Sequence, residues 1–457
     1  MNNLYRAICL GAFLFTFKLH PVFSQTTWTA YTPPFGDTIG IADIEILNEN
    51  VIWAVGVKFD VNDSLYGFFG PSPVYMARTV DGGANWSVTQ VPLGDLPFIA
   101  NMSVVDENTA FISGLDQFGN AKTLKTTDGS QTWAVSPVGW DPVVSWPDYI
   151  HAFSPAKACV VGDPRDGEFE IYTTSNGGIE WFKVPGANIP NPLPGEFGFN
   201  NVGDVDGNTI WFGTSSGRIF RSQNSGLTWL VAQTPLSAVN SVSFSDPDNG
   251  LVAASDLHTS IIAHTADGGT NWTNITPLDG QFRILGIEYI PNSPVILIGI
   301  TKNSILTGPF ETWLSPDRGL SWQQISDGEI IGWPTFRDGN TGWAGEFQQL
   351  DHPTRLFKYT GSPLVGLFSV HPLQAEIKVS PNPAADVFQV HVKAEKPGEF
   401  LLLLNDMQGR LLRRQTVSGQ SDFTTSIPIA DLPEGRYVLT VSCPEGHTSR
   451  TVVKGAE

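Results

Sequence analysis

Cysteine is scarce in this chain: three residues in 457, one of them (Cys9) inside an apolar N-terminal stretch. The other two, Cys159 and Cys443, fall in regions of different sequence character, so no disulfide framework is expected. Both are expected as small buried apolar residues. Basic residues are few as well, 26 Lys and Arg against 45 Asp and Glu, and the net charge of −19 repels nucleic acid and anionic lipid. The excess is uneven. Residues 376–457 hold nine basic and ten acidic groups, and the first 24 are basic through Arg6 and Lys18, so nearly all the negative charge falls on 25–375. Long apolar runs are missing apart from Ala7 to Phe17, which is too short to span a bilayer. With Arg6 before it and Val22-Phe23-Ser24 after it, that run reads as a secretory signal peptide over residues 1–24. Cys9 lies too early in it to be a lipid attachment site, and no transmembrane segment is expected in the mature chain. Long stretches with a 3.6-residue apolar period are absent, as are a P-loop, G-x-S-x-G, H-E-x-x-H and C-x-x-C. No cofactor and no metal is expected.

What the chain has in quantity is glycine (46), proline (33) and aromatic residues, the composition of an all-β protein. It also repeats one eight-residue phrase six times: T-V-D-G-G-A-N-W (Thr79 to Trp86), T-T-D-G-S-Q-T-W (Thr126 to Trp133), T-S-N-G-G-I-E-W (Thr174 to Trp181), S-Q-N-S-G-L-T-W (Ser222 to Trp229), T-A-D-G-G-T-N-W (Thr265 to Trp272) and S-P-D-R-G-L-S-W (Ser315 to Trp322). The tryptophans follow one another at 47, 48, 48, 43 and 50 residues. The third residue (Asp81, Asp128, Asn176, Asn224, Asp267, Asp317) suits an Asx turn, and the glycines supply the positive φ of a tight hairpin. The closing Trp (Trp86, Trp133, Trp181, Trp229, Trp272, Trp322) starts an outgoing strand and can fill a seam between sheets. Burying one such ring removes roughly 150–250 Å² from water, about 4–6 kcal/mol gross.

A second element gives an independent count. A polar turn followed by a short apolar strand occurs seven times, at 48–56, 106–114, 154–162, 206–213, 246–254, 291–299 and 338–345. After the seventh comes a strand, Arg355 to Thr360, with no Trp behind it, while Thr26 to Ala30 (T-T-W-T-A) looks like the end of a phrase with no beginning. The economical reading is a single seven-bladed β-propeller over residues 25–360, its last blade completed by the N-terminal strand so that no sheet edge is left open.

The octapeptide resembles the Asp-box, or BNR repeat, S/T-x-D-x-G-x-T/S-W, found in sialidases, xyloglucan-active glycosidases, sortilin-type receptors and photosystem II assembly factors of the Ycf48 type. Asn176 and Asn224 replace the Asp, and Ser130 replaces the second Gly. The resemblance implies a structural turn on the face away from the ligand.

Past a linker at residues 361–375 the repeats stop. Residues 376–457 read as about seven short strands: Ile377–Ser380, Val387–Lys393, Phe400–Leu404, Leu411–Val417, Phe423–Pro428, Tyr437–Ser442 and Thr448–Lys454. Their apolar–polar alternation suggests a small Ig-like β-sandwich. V-S-P-N-P-A-A-D (Val379 to Asp386), L-N-D-M-Q-G-R (Leu404 to Arg410), L-P-E-G-R-Y-V-L-T-V (Leu432 to Val441) and T-V-V-K (Thr451 to Lys454) occur in order. This region resembles the type A C-terminal sorting domain of the Bacteroidetes type IX secretion system. That resemblance implies export by the type IX machinery as partner, then release or attachment at the outer-membrane surface.

In an up-and-down blade the octapeptide turns share a face with the turns between the first and second strands. The remaining connections form the opposite face, where a ligand is expected. Ser136 to Tyr149 brings Trp140, Asp141, Trp146, Asp148 and Tyr149, with His151 just after; Asp163 and Arg165 stand on a hairpin, and Arg283, Trp333 and Glu346 complete the candidates. Long loops at Lys58 to Val74 (Asp60, Asp63, Tyr66, Phe68, Phe69), Pro185 to Phe199 and Glu346 to Thr354 add to this rim. Aromatic and acidic side chains together suit stacking on a glycan or contact with a protein. A sialidase needs an F-R-I-P motif; Phe282-Arg283-Ile284-Leu285 lacks the Pro, and Arg78, Arg221 and Arg318 stand beside or within octapeptides. A xyloglucan-type hydrolase needs two carboxylates, about 6.5–9.5 Å apart if inverting, and Asp141, Asp148, Asp163 and Glu346 are the ones to examine. Asp204-Val-Asp206-Gly-Asn208 lacks the rest of a calcium loop and reads as a hairpin. The expectation is a non-catalytic binding or adhesion protein for a glycan or a protein, with an extracellular glycoside hydrolase as the alternative.

Overall fold

The computed structural model describes residues 28–36, 38–57, 74–92, 98–116, 118–141, 144–255, 260–276, 282–304, 308–319, 322–327, 333–346, 353–361, 364, 375–405, 411–443 and 446–455. The signal-peptide reading and the Lys58 to Val74 loop therefore lie almost wholly outside the described residues. The described chain is nearly all strand. Seven antiparallel four-stranded sheets follow one another, and their innermost strands are Gly40–Ile46, Phe98–Val104, Pro147–Ala152, Gly198–Asp206, Ser241–Phe244, Arg283–Tyr289 and Trp333–Phe336. Each packs on the next, and the seventh packs back on the first, which closes a ring. The architecture is a β-propeller.

Closure uses the N-terminal strand. Trp28–Tyr31 pairs antiparallel with Leu356–Tyr359, Trp28 facing Tyr359, as the outermost strand of the seventh sheet. The Trp28 ring sits edge-on to Phe336 and Tyr359 at 5.6 and 5.3 Å. The two ends of the ring are thereby stitched by backbone hydrogen bonds and by an aromatic cluster.

Each octapeptide joins the third strand of its sheet to the fourth. In the first, Thr79 Oγ1 donates to Asp81 Oδ1 (2.8 Å) and accepts from the Gly83 N–H (3.0 Å), while Asp81 also accepts from the Asn85 N–H (2.8 Å). The Thr126/Asp128, Thr174/Asn176, Ser222/Asn224 and Thr265/Asp267 turns repeat this bonding. Ser315 bonds Asp317 and Gly319 in the same way. The fourth residue's N–H then reaches a carbonyl in the turn between the first two strands of its own sheet: Gly82 to Asn50, Gly129 to Asn108, Gly177 to Ala156, Ser225 to Asn208, Gly268 to Asp248 and Arg318 to Pro294, all at 2.8–2.9 Å. The octapeptides and the polar turns are thus two halves of one knot. Trp229, 4 % exposed, donates its indole N–H to the Gly226 carbonyl and packs with Cys159, Phe169, Phe212 and Phe220. Neither Cys159 nor Cys443 is in a disulfide, and both are buried. Asp206 pairs with Thr209 across a hairpin in which Gly207 has φ +59°, as expected for that segment.

The C-terminal region differs from the reading of about seven short strands. Val387–Asn405 and Leu411–Pro428 are two long strands that run through the expected breaks, giving five strands in one connected sheet with Ala375–Ser380, Gly435–Cys443 and Gly446–Lys454. The apparent break at 394–399 is a register irregularity between Lys393 and Phe400. Polar residues there signal a bend and not a loop, because Phe388, Val390 and Val392 on one side and Phe400, Leu402 and Leu404 on the other bury into the same core.

Candidate functional site

The ring encloses an axial cavity of about 400 Å³. Its wall is polar, and the reason lies in the innermost strands. An inner strand has a sheet neighbour on one side only, so N–H groups on its other edge need another acceptor. They find it on the preceding sheet. Asp43 and Glu45 accept from the Met102 and Val104 N–H groups (3.0 and 2.8 Å), and Asn101 and Ser103 accept from Ile150 and Ala152 (2.7 and 3.0 Å). Asp204 accepts from Phe244 (2.5 Å), Ser243 from Tyr289 (2.9 Å) and Glu288 from Phe336 (2.7 Å). A belt of side-chain acceptors thus joins one sheet to the next around the axis.

Burial dominates the titration of this belt. It pushes Asp43 up to about 6 despite the Met102 N–H, and Asp204 to about 7. Burial and then the Asp43 charge push Glu45 to about 8; burial and then Asp204 push Glu288 well above the carboxylate range. The belt is interrupted at the third sheet, where Tyr149 and His151 take the acceptor positions. Burial raises the Tyr149 hydroxyl further, helped by the charges of Asp204, Glu45 and Asp43, and lowers His151 to about 4. Both rings line the cavity, and Tyr149 lies against Gly203, where a Cβ would meet the ring at 2.8 Å.

The other expected site residues come from the connections opposite the octapeptide turns and from the strand ends beside them. Asp141 pairs with Arg165 (2.9 Å), and Arg165 also approaches Asp166 (3.6 Å) and the buried Glu170 (4.0 Å). Trp140 donates to Thr123 Oγ1 (3.1 Å) and meets Tyr172 edge-on, so its ring belongs to the seam between the second and third sheets. Trp146 donates to Asn200 Oδ1 (3.4 Å) yet stays 40 % exposed. Asp148 is buried beneath Gly198; burial and then Asp163 raise its carboxyl well above the ordinary range. Asp163 accepts the Gly198 N–H (2.9 Å) and is raised by burial. Glu346 is fully buried and spent on Arg355, which donates to it through its backbone N–H (2.8 Å), Nε (3.0 Å) and Nη2 (2.6 Å). Glu196 and Arg218 repeat this pair in the fourth sheet, and each arginine lies 5.0 Å over a phenylalanine two residues on. Arg283 begins the sixth inner strand and does not line the cavity; Trp333 begins the seventh, its backbone paired with Gly345.

Asp43, Glu45, Asp204 and Glu288 were not among the residues expected at the site. Their signal was D-I-E at 43–45 and lone acids inside apolar strands, which in one sequence looks like the solvent face of an edge strand. The exposed rings near Trp146 belong to the Pro185 to Phe199 loop, which was expected on the rim without these residues being singled out. Phe197 is 44 % exposed, meets Phe199 edge-on at 5.3 Å, and stands with exposed Leu193 and Val144 around the same loops.

Residues 378–454 match the family model described as a secretion system C-terminal sorting domain. This is the sorting domain of type IX secretion, so the chain engages that machinery and is secreted or attached to the cell surface. No helix among the described residues is long and apolar enough to cross a membrane. No curated protein matches the chain. Among solved structures it is similar to YCF48 bound to D1 peptide (18 % identity, TM-score 0.51, covering 73 % of this chain and 97 % of that one). It is also similar to YCF48 from Cyanidioschyzon merolae (15 %, 0.52, 73 % and 98 %) and to U3-55K (8 %, 0.50, 73 % and 98 %). At these identities the likeness is one of fold.

Proposed function

We propose that this exported propeller is a non-catalytic binding protein that holds a protein partner on the face opposite the octapeptide turns. The observation that carries this reading is the Trp146 ring, 40 % exposed although its N–H is already bonded to Asn200. A ring pinned in place and left in water is prepaid contact surface, because little side-chain entropy remains to be lost on docking. Phe197, Leu193 and Val144 extend it with apolar surface more suited to a protein than to a sugar ring. Seven sheets beneath hold the patch rigid. A structure of similar fold, YCF48, holds a peptide, which agrees with this use of the scaffold.

The carboxyl groups weigh against hydrolysis. Glu346 and Glu196 are buried and neutralised by half-buried arginines, Asp141 is paired with Arg165, and the Asp148–Asp163 pair sits under Gly198. The axial acids are engaged in holding neighbouring strands. A glycosidase needs an acid and an opposed base or nucleophile facing one substrate bond.

The test is cross-linked or affinity capture from the organism's own surroundings with the wild-type chain and a Trp146→Ala/Phe197→Ala variant, run beside a glycan-release assay. Capture of one defined protein, reduced roughly tenfold or more in the variant, is expected. Release of sugar, abolished by Asp→Asn changes at Asp141, Asp148 or Asp163, would replace this reading with the hydrolase.

A further inference from the structure

The interruption of the axial belt has the features of a small binding site. Tyr149 is 8 % exposed and lines the cavity, and its hydroxyl makes no hydrogen bond within the described residues. A phenolic O–H shut away from bulk water ordinarily has a partner. Here the two neighbouring acceptor positions of the third sheet, Tyr149 and His151, are both rings, and the next strand is already satisfied: the Val205 N–H goes to Asp204 Oδ1 at 2.7 Å. The Val205 N–H therefore does not need them, and both residues line the cavity.

Lining the same space are two half-used carboxyl groups. Glu45 gives Oε2 to the Val104 N–H, and Glu288 gives Oε1 to the Phe336 N–H, so each keeps one oxygen without a backbone donor. Ile41, Ile287 and the two rings supply apolar wall between them. Among the described residues no three His, Cys, Asp or Glu side chains stand close enough to hold one metal ion. A ligand that joins these groups must have a compact charge and an apolar stem.

We propose that the axial cavity binds an alkylammonium group, carried by a lysine side chain or a free primary amine. The ammonium presents three donors, to a carboxyl oxygen of Glu45 or Glu288 and to the Tyr149 hydroxyl oxygen. Its methylenes lie along the Tyr149 and His151 rings, where cation–π attraction adds to the carboxylate charge. No covalent step is involved. The site is independent of the Trp146 rim, and the inference goes beyond the binding function assigned to that rim.

Binding is coupled to protons. Glu45 and Asp204 carry their protons up to about pH 8 and 7, Asp43 to about 6, and burial raises Glu288 well above the carboxylate range, while His151, lowered to about 4, and Arg337 also line the cavity. An ammonium beside the carboxyl groups favours their ionised form, so binding releases protons and tightens as pH rises from about 6 to 8.

Isothermal titration of the full chain tests this, with N-acetyl-lysine N-methylamide and n-butylammonium as probes and N-acetyl-norleucine N-methylamide as the neutral control. Expected is saturable one-to-one binding of both cations, with proton release shown by buffers of different ionisation heat, and none of the control. Glu45→Gln/Glu288→Gln keeps an acceptor for each backbone N–H, so it should melt near the wild type while binding roughly tenfold or more weakly. Tyr149→Phe should weaken binding less. Equal binding of the norleucine control, unchanged affinity in the double Gln variant, or no saturable heat with either cation would overturn the inference. The probes are too small to need the rim, so amine binding lost with partner capture intact overturns this site alone, and the converse overturns only the rim.

Discussion

Two sets of carboxylates in this ring have the same chemistry and opposite behaviour. In the octapeptide turns Asp81 and Asp128 stand at the surface. Asp81 is drawn down to about 2 by the Asn85 N–H and side chain and then Thr79, and Asp128 to about 2 by the side chain and then the N–H of Thr132. At the axis Asp43, Glu45, Asp204 and Glu288 also accept backbone N–H bonds, yet burial outweighs those bonds and pushes every one of them up. Hydrogen bonding to an anion stabilises it; removing water destabilises it by more. The outer set therefore works as anions that shape a turn. The inner set works as hydrogen-bond acceptors whose charge is held in reserve.

The comparison can be broken first on the outer side. Trp229→Ala removes the buried ring that ties its octapeptide to the seam between sheets and should cost about 3–5 kcal/mol in urea unfolding. A loss of under about 1 kcal/mol would mean that the turn network holds without its anchor. On the inner side, Glu288→Ala strands the Phe336 N–H and should cost about 1–3 kcal/mol. Glu288→Gln, which still offers an oxygen, should cost clearly less. Equal losses in the two would show that charge, and not acceptance, is what the belt requires.

The sequence made the outer set readable because all its bonds close within four residues: Thr79, Asp81, Gly83 and Asn85 are one phrase, and six copies made the phrase visible. The count of seven apolar strands and the orphaned T-W-T near Trp28 made the ring and its closing strand readable by the same logic. The inner belt was unreadable because each of its bonds links residues 40–59 positions apart, as from Asp204 to Phe244 or Glu45 to Val104. Nothing local distinguishes Glu45 from an exposed acid on a strand. Glu346 shows the reverse: it was a fair candidate by position, but it is buried against Arg355, nine residues on, and that pairing removes it from any ligand. In the C-terminal region, alternation located the strands but not their continuity, because a bend and a loop share polar residues.

The most direct measurement is the melting temperature of the wild type and Glu45→Gln between pH 6.5 and 8; His151 and His264, held near 4 in the fold, take up protons only in the unfolded chain, near about 6.5 at the lower edge of that window, and oppose the slope equally in both proteins. In that window the folded ring still holds protons on Asp204 and Glu45 that the unfolded chain has released, so folding stability falls as pH rises. The predicted result is a wild-type melting temperature that declines steadily across the window and a visibly flatter profile for Glu45→Gln. A wild-type profile that is level or rising, or a Glu45→Gln profile that declines just as steeply, would contradict the account of the axial carboxyls.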